Sequence, residues 1–254
     1  MFLKVIACEI AFRELSHLAA QAPNLIDLDF LTQGHHDTPS EGRRDIQERI
    51  DALPDGKYDA VLLGYGLCSS ILPGLRARKL PLIVPRAHDC ITFFLGSKER
   101  YQKCFTERPG TYYFTSGWLE CRTRRGKSLP AGHGAFLPAH SPSTRQADYE
   151  AWVAKYGREK ADYLMEVMGG WSQHYTHGTL IDFDFARPLA LDQEVQRICQ
   201  AQGWQYEQAR GDLSLLRRWL AGDWPDTDFL RVEPGQQIAA TSDDRIIEGV
   251  SPHY

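Results

Sequence analysis

The sequence contains no Cys-x-x-Cys pair, no long run of like charge and no apolar stretch of membrane-spanning length. Without a Cys-x-x-Cys pair, the chain lacks the ligand pattern of zinc ribbons and ferredoxins. The 29 Lys and Arg residues nearly balance the 33 Asp and Glu residues, which gives no indication of nucleic-acid or membrane binding. The first apolar run contains Lys4 and ends at Glu9, too early for a signal-peptide core. We therefore expect a cytoplasmic protein that binds small molecules or other proteins.

Six cysteines are present among the 254 residues. Their even number does not predict disulfides, because cytosolic thiols stay reduced and a chain of this length can bury a core without cross-links. Cys104, Cys121 and Cys199 belong to no recognisable cluster of polar residues. We assign these three to structure or surface, since cysteine most often behaves as a small buried hydrophobe.

Apolar runs alternate with helical patterns in the first half of the chain. The runs cover residues 2–8, 25–31, 60–67 and 82–85. This β-α-β order predicts an α/β fold with a largely parallel sheet, Rossmann-like and three-layered, together with a second, smaller βαβ lobe. We place the first lobe at residues 1–117, a long irregular loop at 118–146, and a helical bridge with the second lobe at 147–254. No low-complexity linker separates the lobes, so we expect one compact domain.

Three cysteines each follow one of the predicted strands, and these are Cys8, Cys68 and Cys90. If the strands are parallel neighbours, the three sulfur atoms meet at the carboxyl edge of the sheet, where open α/β sheets bind ligands. Three thiolates leave one position open on a tetrahedral zinc ion or on one iron of a four-iron cluster. The pattern predicts a metal site that holds zinc or an iron–sulfur cluster. One coordination position of the metal is left open, and a small-molecule substrate binds there.

Polar residues next to these cysteines are candidates for proton transfer. Glu9 directly follows Cys8, and His88 and Asp89 directly precede Cys90. We assign Glu9, His88 and Asp89 as candidate catalytic residues. Asp89 also stands before a helical pattern at residues 91–105, and capping that helix is the interpretation we favour for it.

Three residues near the strand ends are candidates for substrate binding. Tyr65 and Gly66 belong to a Gly-x-Gly sequence that resembles the start of a dinucleotide fingerprint, but Ser69 stands where a glycine or alanine is required. The glycines still indicate a tight turn or a close backbone approach. Arg86 follows the next strand and is suited to a phosphate or carboxylate, with a surface ion pair as an equal alternative.

A metal-free alternative uses the same residues. Cys90 stands at the start of a predicted helix, where the positive end of the dipole stabilises a thiolate. Cys90 would then be the nucleophile and His88 its base. The sequence leaves this alternative open.

Several motifs resemble those of the family called domain of unknown function 1638. They occupy residues 7–9, 64–68, 85–91, 95–97 and 116–118. The resemblance extends from the first predicted strand to the region of residues 211–213, and the family's motif cysteines fall on Cys8, Cys68 and Cys90. The family has no settled activity, and its genes in anaerobic bacteria and archaea often lie beside those of corrinoid-dependent methyltransferases. The resemblance therefore implies a context of one-carbon or methyl-transfer metabolism.

Taken together, these patterns predict a metalloprotein of one-carbon, thiol or corrinoid-linked methyl-transfer metabolism. A corrinoid would reach the site through a partner, either a corrinoid protein or a methyltransferase. Three alternatives stay open. They are an iron–sulfur hydro-lyase, a non-catalytic accessory protein that binds a corrinoid or a metal, and the metal-free enzyme that uses Cys90 and His88.

Overall fold

The protein is described by a computed structural model. The model describes residues 1–36, 38–124, 153, 157, 158 and 175–251. The chain divides into two compact units. The larger unit comprises Met1–Gln102 and Gly211–Tyr254, and the smaller unit comprises Lys103–Arg210. Most of the loop expected at 118–146 lies outside the described residues.

Strands and helices of the described residues are numbered here along the chain. The strands are β1 (Phe2–Cys8), β2 (Leu25–Leu31), β3 (Ala60–Gly64), β4 (Leu82–Pro85), β5 (Thr111–Phe114), β6 (His177–Asp182), β7 (Gln205–Arg210), β8 (Phe229–Val232), β9 (Gln237–Ala240) and β10 (Ile247–Val250). The helices are α1 (Phe12–Ala19), α2 (Pro39–Asp51), α3 (Ile91–Leu95), α4 (Lys98–Glu107), α5 (Ser116–Arg124), α6 (Leu191–Gln202) and α7 (Ser214–Ala221).

The larger unit is built on a five-stranded sheet with the order β2-β1-β3-β4-β8. The first four strands are parallel, and β8 pairs antiparallel with β4. β3 and β4 are buried along their whole length, because a central strand covered on both faces requires apolar residues at every position. β2 is an edge strand and carries Asp27 and Asp29, charged residues that prevent pairing with another chain.

Helices cover the buried strands of this sheet. Ile46 and Ile50 of α2 belong to the same core cluster as Val61 and Leu63 of β3. α7 contributes Trp219, which is fully buried and donates a hydrogen bond from Nε1 to the carbonyl oxygen of Ile83 at 3.2 Å. The strands that end at the carboxyl edge of the sheet are thus fixed by apolar packing against the helices.

The predicted helix at residues 91–105 is two helices, α3 and α4, and the prediction of one continuous helix was wrong. The break follows Gly96, which adopts a left-handed conformation with φ of +84°. A Cβ atom at this position would lie 2.6 Å from Cγ of Asp212. The left-handed conformation of Gly96 therefore ends α3, and glycine tolerates both this conformation and the close approach of Asp212.

The smaller unit has a parallel sheet with the order β5-β6-β7, and α6 forms the connection from β6 to β7. Its core includes Phe114, Val195, Cys199 and Trp204. The predicted α/β class, with a mostly parallel main sheet and a smaller βαβ sheet, is confirmed. Among the helices of the described residues, none combines the length and the apolar character needed to cross a membrane.

Candidate functional site

The three predicted ligand cysteines all lie at the carboxyl edge of the larger sheet. Cys8 is the last residue of β1, Cys68 begins a short 3-10 turn beyond β3, and Cys90 directly precedes α3. β1 pairs with β3, and β3 pairs with β4, in parallel. Because the carboxyl ends of parallel neighbours adjoin, the fold brings together three cysteines that are remote in the chain.

The loops that carry Cys68 and Cys90 are in direct main-chain contact. The amide nitrogen of Cys68 donates to the carbonyl oxygen of His88 at 2.7 Å. Gly66 has no room for a side chain, since a Cβ atom there would lie 2.6 Å from Cα of Asp89. Glycine permits this close approach of two backbones. Gly66 therefore positions the two loops, which is a structural reason for the Gly-x-Gly pattern.

The environment of Cys90 disfavours its thiolate form. Burial raises the pKa of the Cys90 thiol well above its usual value, and the neighbouring Cys68, Asp89 and Cys8 raise this pKa further. The three thiols thus lie near enough for a charge on one to oppose a charge on another. Thiolates gathered in this way require a positive counter-charge, which is what a coordinated metal cation supplies.

The sulfur atoms do not form a closed coordination shell. Within the ranges that the structure describes, no group of three or more His, Cys, Asp or Glu side chains is placed to hold a metal ion. None of the six cysteines forms a disulfide. The donor set is suited to zinc or to an iron–sulfur cluster, because both accept thiolate ligands. Binding would require side-chain rotations that draw the sulfur atoms together, and metal ligation by these cysteines stays a prediction.

Glu9 is held at the same edge by hydrogen bonds from the segment that follows β2. Its side chain is 8% exposed, and Oε1 accepts hydrogen bonds from the main-chain nitrogen of Gln33 at 2.8 Å and from Oγ1 of Thr32 at 3.2 Å. These bonds hold the carboxyl group of Glu9 in place. Glu9 is the residue that follows Cys8 in the chain. The position suits proton transfer, and that role stays a prediction.

Two buried side chains at this edge have polar atoms for which the described part of the chain offers no hydrogen-bond partner. Tyr65 is 6% exposed and its hydroxyl is unpaired, and Gln33 is 2% exposed with both its amide nitrogen and its amide oxygen unpaired. Tyr65 is among the substrate-binding candidates predicted from the sequence. Gln33 is not, although it follows β2 at the same edge, and the rule that identified the cysteines would have found it.

Asp89 stabilises the start of α3. Its Oδ1 accepts a hydrogen bond from the main-chain nitrogen of Ile91 at 2.9 Å, as the capping interpretation predicts, and its Oδ2 accepts one from the hydroxyl of Tyr101 at 2.7 Å. Burial raises the pKa of the Asp89 carboxyl group, and the bond from Tyr101 opposes that shift. Sequence reasoning missed Tyr101, which carries no motif.

The imidazole of His88 is exposed to solvent. Its main-chain oxygen is bound by Cys68, so the residue has a structural part in joining the two loops. Catalytic roles for His88 and Asp89 stay predictions.

Arg86 connects β4 to the carboxyl-terminal segment of the larger unit. Its buried guanidinium donates from Nη1 to the carbonyl oxygens of Arg245 and Ile247, from Nε to the carbonyl oxygen of Asp226, and from Nη2 to the carboxylate of Asp226. All three nitrogens are thus engaged within the protein. The geometry favours a structural role, and substrate binding by Arg86 stays a prediction.

The fold and the site define an α/β protein with a cysteine-bearing carboxyl edge. Residues 30–220 match the family described as "Protein of unknown function (DUF1638)", and the chain belongs to this family. The resemblance seen in the sequence motifs is thereby confirmed. The matched range includes Cys68 and Cys90 and begins after Cys8. No curated protein and no solved structure matches the chain.

Proposed function

We propose that the protein is a metalloprotein whose Cys8, Cys68 and Cys90 bind zinc or an iron–sulfur cluster with one open coordination position. The observation that carries the proposal is the position of the three cysteines. Cys8 ends β1, and Cys68 and Cys90 lie in the loops that follow β3 and β4, the next two parallel strands of the sheet. The contact between Gly66 and the backbone of Asp89 supports it, because it holds the second and third cysteine loops together.

The metal would supply a Lewis acid for a substrate thiol or oxygen atom. The residues of the chain would orient the substrate and move protons around it. Glu9 is buried beside Cys8 and is fixed by Gln33 and Thr32, so it is suited to hold or release a proton at one carboxylate oxygen. His88, whose ring is exposed, is suited to exchange that proton with solvent.

The metabolic setting that we propose is one-carbon, thiol or corrinoid-linked methyl-group chemistry. This part rests on the family resemblance and on the affinity of thiolate-bound metals for thiol substrates. A corrinoid would be presented by a partner protein, either a corrinoid protein or a methyltransferase. An iron–sulfur cluster would favour the hydro-lyase alternative, because an open iron site binds substrate hydroxyl and carboxylate groups.

The test is metal and acid-labile sulfide analysis of protein purified without oxygen, together with an optical spectrum. Stoichiometric zinc without sulfide supports a zinc centre, and iron with matching sulfide supports a cluster. Wild-type protein that contains neither would overturn both forms of the proposal. Selective alkylation of Cys90 in such metal-free protein would favour the metal-free cysteine enzyme.

Single serine variants locate the ligands. Cys8→Ser, Cys68→Ser and Cys90→Ser should each lose the metal, because serine is a poor ligand for zinc and for iron–sulfur clusters. Cys104→Ser is the matched control. Cys104 is half-buried like the three candidate ligands but lies within helix α4 and does not follow a strand, so this change should leave the metal content unchanged. Equal metal content in all four variants would contradict the assignment.

A further inference from the structure

We infer that the Gln33 carboxamide and the Tyr65 hydroxyl form a subsite for a small polar ligand that carries N–H donors, an amide or an ammonium group. The inference rests on the proposed function in one respect, since it takes the carboxyl edge as the place where substrate binds. It does not depend on which metal the cysteines hold. It names the chemical class of the ligand, which the three cysteines leave open.

Unpaired buried polar atoms are the first observation behind this subsite. Gln33 and Tyr65 are both more than nine-tenths buried, and three of their polar atoms have no hydrogen-bond partner among the residues that the structure describes. Polar groups in protein interiors are nearly always hydrogen-bonded, since an unpaired one loses its bonds to water without replacement. Two such side chains at one edge of a sheet therefore indicate that something outside the chain completes their hydrogen bonds.

The second observation is that Gln33 and Tyr65 follow the two strands that neighbour β1, which ends beside Glu9. The main-chain nitrogen of Gln33 donates to Oε1 of Glu9 at 2.8 Å, which places Gln33 beside the end of β1. Tyr65 directly follows β3 on the other side of β1. Because β2 and β3 are the two neighbours of β1, the two residues flank Cys8 and Glu9 from opposite sides.

Local charge selects the ligand. Burial raises the pKa of Tyr65 well above its usual value, Cys8 raises it next, Arg49 lowers it, and Asp29 and Glu9 raise it further. The carboxylate of Glu9 also borders the subsite, since it accepts a hydrogen bond from the main-chain nitrogen of Gln33 at 2.8 Å. An anionic ligand would be repelled here, whereas N–H donors would be attracted.

The hydrogen-bonding capacity of the two side chains agrees with this selection. The carboxamide of Gln33 offers one acceptor and two donor positions, and the hydroxyl of Tyr65 offers both kinds. A ligand amide can form a reciprocal pair with Gln33 and a third bond with Tyr65. An ammonium group can donate to the Gln33 oxygen and to the Tyr65 oxygen.

The experiment measures thermal stability of the full-length protein with acetamide, methylammonium or acetate as the probe. Acetamide or methylammonium should raise the Tm of the wild type in a saturable way, and acetate should not. Gln33→Met and Tyr65→Phe keep the shape of each side chain and remove the polar atoms, so each should weaken the Kd of the effective probe about tenfold. Tyr206→Phe removes a hydroxyl in the smaller unit and should keep the wild-type Kd.

Stability without any probe supplies a second readout. If the atoms are unpaired in the ligand-free protein, Gln33→Met and Tyr65→Phe should have a Tm equal to or above that of the wild type. If ordered water pairs them instead, both variants should be less stable and no probe should bind. That result, or an equal response to acetate, would overturn the inference. Metal content is measured on the same samples, so loss of the metal proposal and loss of this subsite are distinguishable.

Discussion

Cysteine has different surroundings in the two units of this protein. In the larger unit, Cys8, Cys68 and Cys90 are half-buried near strand ends. In the smaller unit, Cys121 and Cys199 are buried in the interior, and Cys104 is half-buried within a helix. The contrast shows that residue type alone does not identify a ligand. A thiol enclosed by apolar side chains acts as a small hydrophobe, and a thiol at the carboxyl edge of parallel strands is available to a ligand.

Cys199 illustrates the structural case. It belongs to a core cluster with Phe114 and Trp204. A Cβ atom on Gly178 would lie 2.3 Å from its sulfur atom, so the sulfur fills space that this glycine leaves vacant. Burial raises the pKa of the Cys199 thiol, which keeps the residue neutral and inert.

Metal removal should have the largest effect, and this effect should distinguish the cysteines near strand ends from those buried in the interior. Chelation should lower the free energy of unfolding of the wild type by about 4 kcal/mol, the stabilisation expected from a metal at about a thousand times its Kd. Denaturant unfolding with and without chelator measures this difference. Cys199→Ser should be less stable than the wild type by about 1–3 kcal/mol, through burial of a hydroxyl, and should respond to chelator as the wild type does. Cys90→Ser should show no response, and a response in that variant would contradict the assignment.

Two arginines extend the comparison to charged side chains. Arg86→Met should lower the free energy of unfolding by about 3 kcal/mol, because it removes the hydrogen bonds from the buried guanidinium to the carbonyl oxygens of Asp226, Arg245 and Ile247. Arg108→Met removes a half-exposed partner of Glu207 in the smaller unit and should cost less than about 1 kcal/mol. Both variants should keep the wild-type metal content. Normal stability with altered metal or ligand binding in Arg86→Met would instead indicate a functional role.

Two glycines test whether close packing serves the site or only the fold. Gly66→Ala should destabilise the protein by about 1–3 kcal/mol, because its Cβ would push against the backbone of Asp89, and it should also weaken metal binding. Gly178→Ala crowds Cys199 in the smaller unit and should cost a similar amount of stability with unchanged metal affinity. Unfolding curves and metal titrations of the two variants measure both quantities. Equal metal affinity in the two would show that Gly66 does not position the cysteine loops.

The smallest effect is expected at a turn of the larger unit that lies between β9 and β10. Hydrogen bonds from Arg245 and from Thr241 lower the pKa of Asp243 to about 2. Since this is below the value of about 3.9 for an unfolded chain, the carboxylate stabilises the protein above pH 4 and loses that effect as the pH falls toward 2. Asp243→Asn should therefore be slightly less stable than the wild type at pH 6, with a difference that shrinks at pH 3. A difference that is independent of pH would exclude this carboxylate as its source.

Much of the fold was predictable because it is encoded in local patterns. The runs at residues 2–8 and 25–31 have the bounds of β1 and β2, since a continuous apolar run defines the first strand and the alternation of apolar and acidic residues defines the second. The break at Gly96 was missed although a glycine is a common helix end, whereas the approach of Asp212 to this glycine was not predictable from local sequence. The same limit applies to the unit boundary: β8 returns to pair with β4, and residues 211–254 join the larger unit instead of continuing a second lobe.

The candidate site, like the fold, was predictable in part. The strand-end rule identified the cysteines, Glu9 and Tyr65 at one edge, and it would have identified Gln33 as well. It did not identify the partners of Arg86, because the guanidinium binds Ile247, which is 161 residues further along the chain. Contacts of that separation depend on how the whole sheet closes, and no local pattern specifies them.

By itself, the sequence determined the class of fold, the family and the set of sulfur-bearing strand ends, because apolar periodicity and short motifs are properties of neighbouring residues. Only the tertiary structure decided that Gly66 packs on Asp89 and that Arg86 is engaged within the protein. It also decided that the side-chain polar atoms of Gln33 and Tyr65 are buried with no partner among the described residues. The physical reason is that packing and hydrogen bonding are satisfied between segments distant in the chain. Whether a polar atom is paired, and therefore whether it is available to a ligand, follows from the folded arrangement alone.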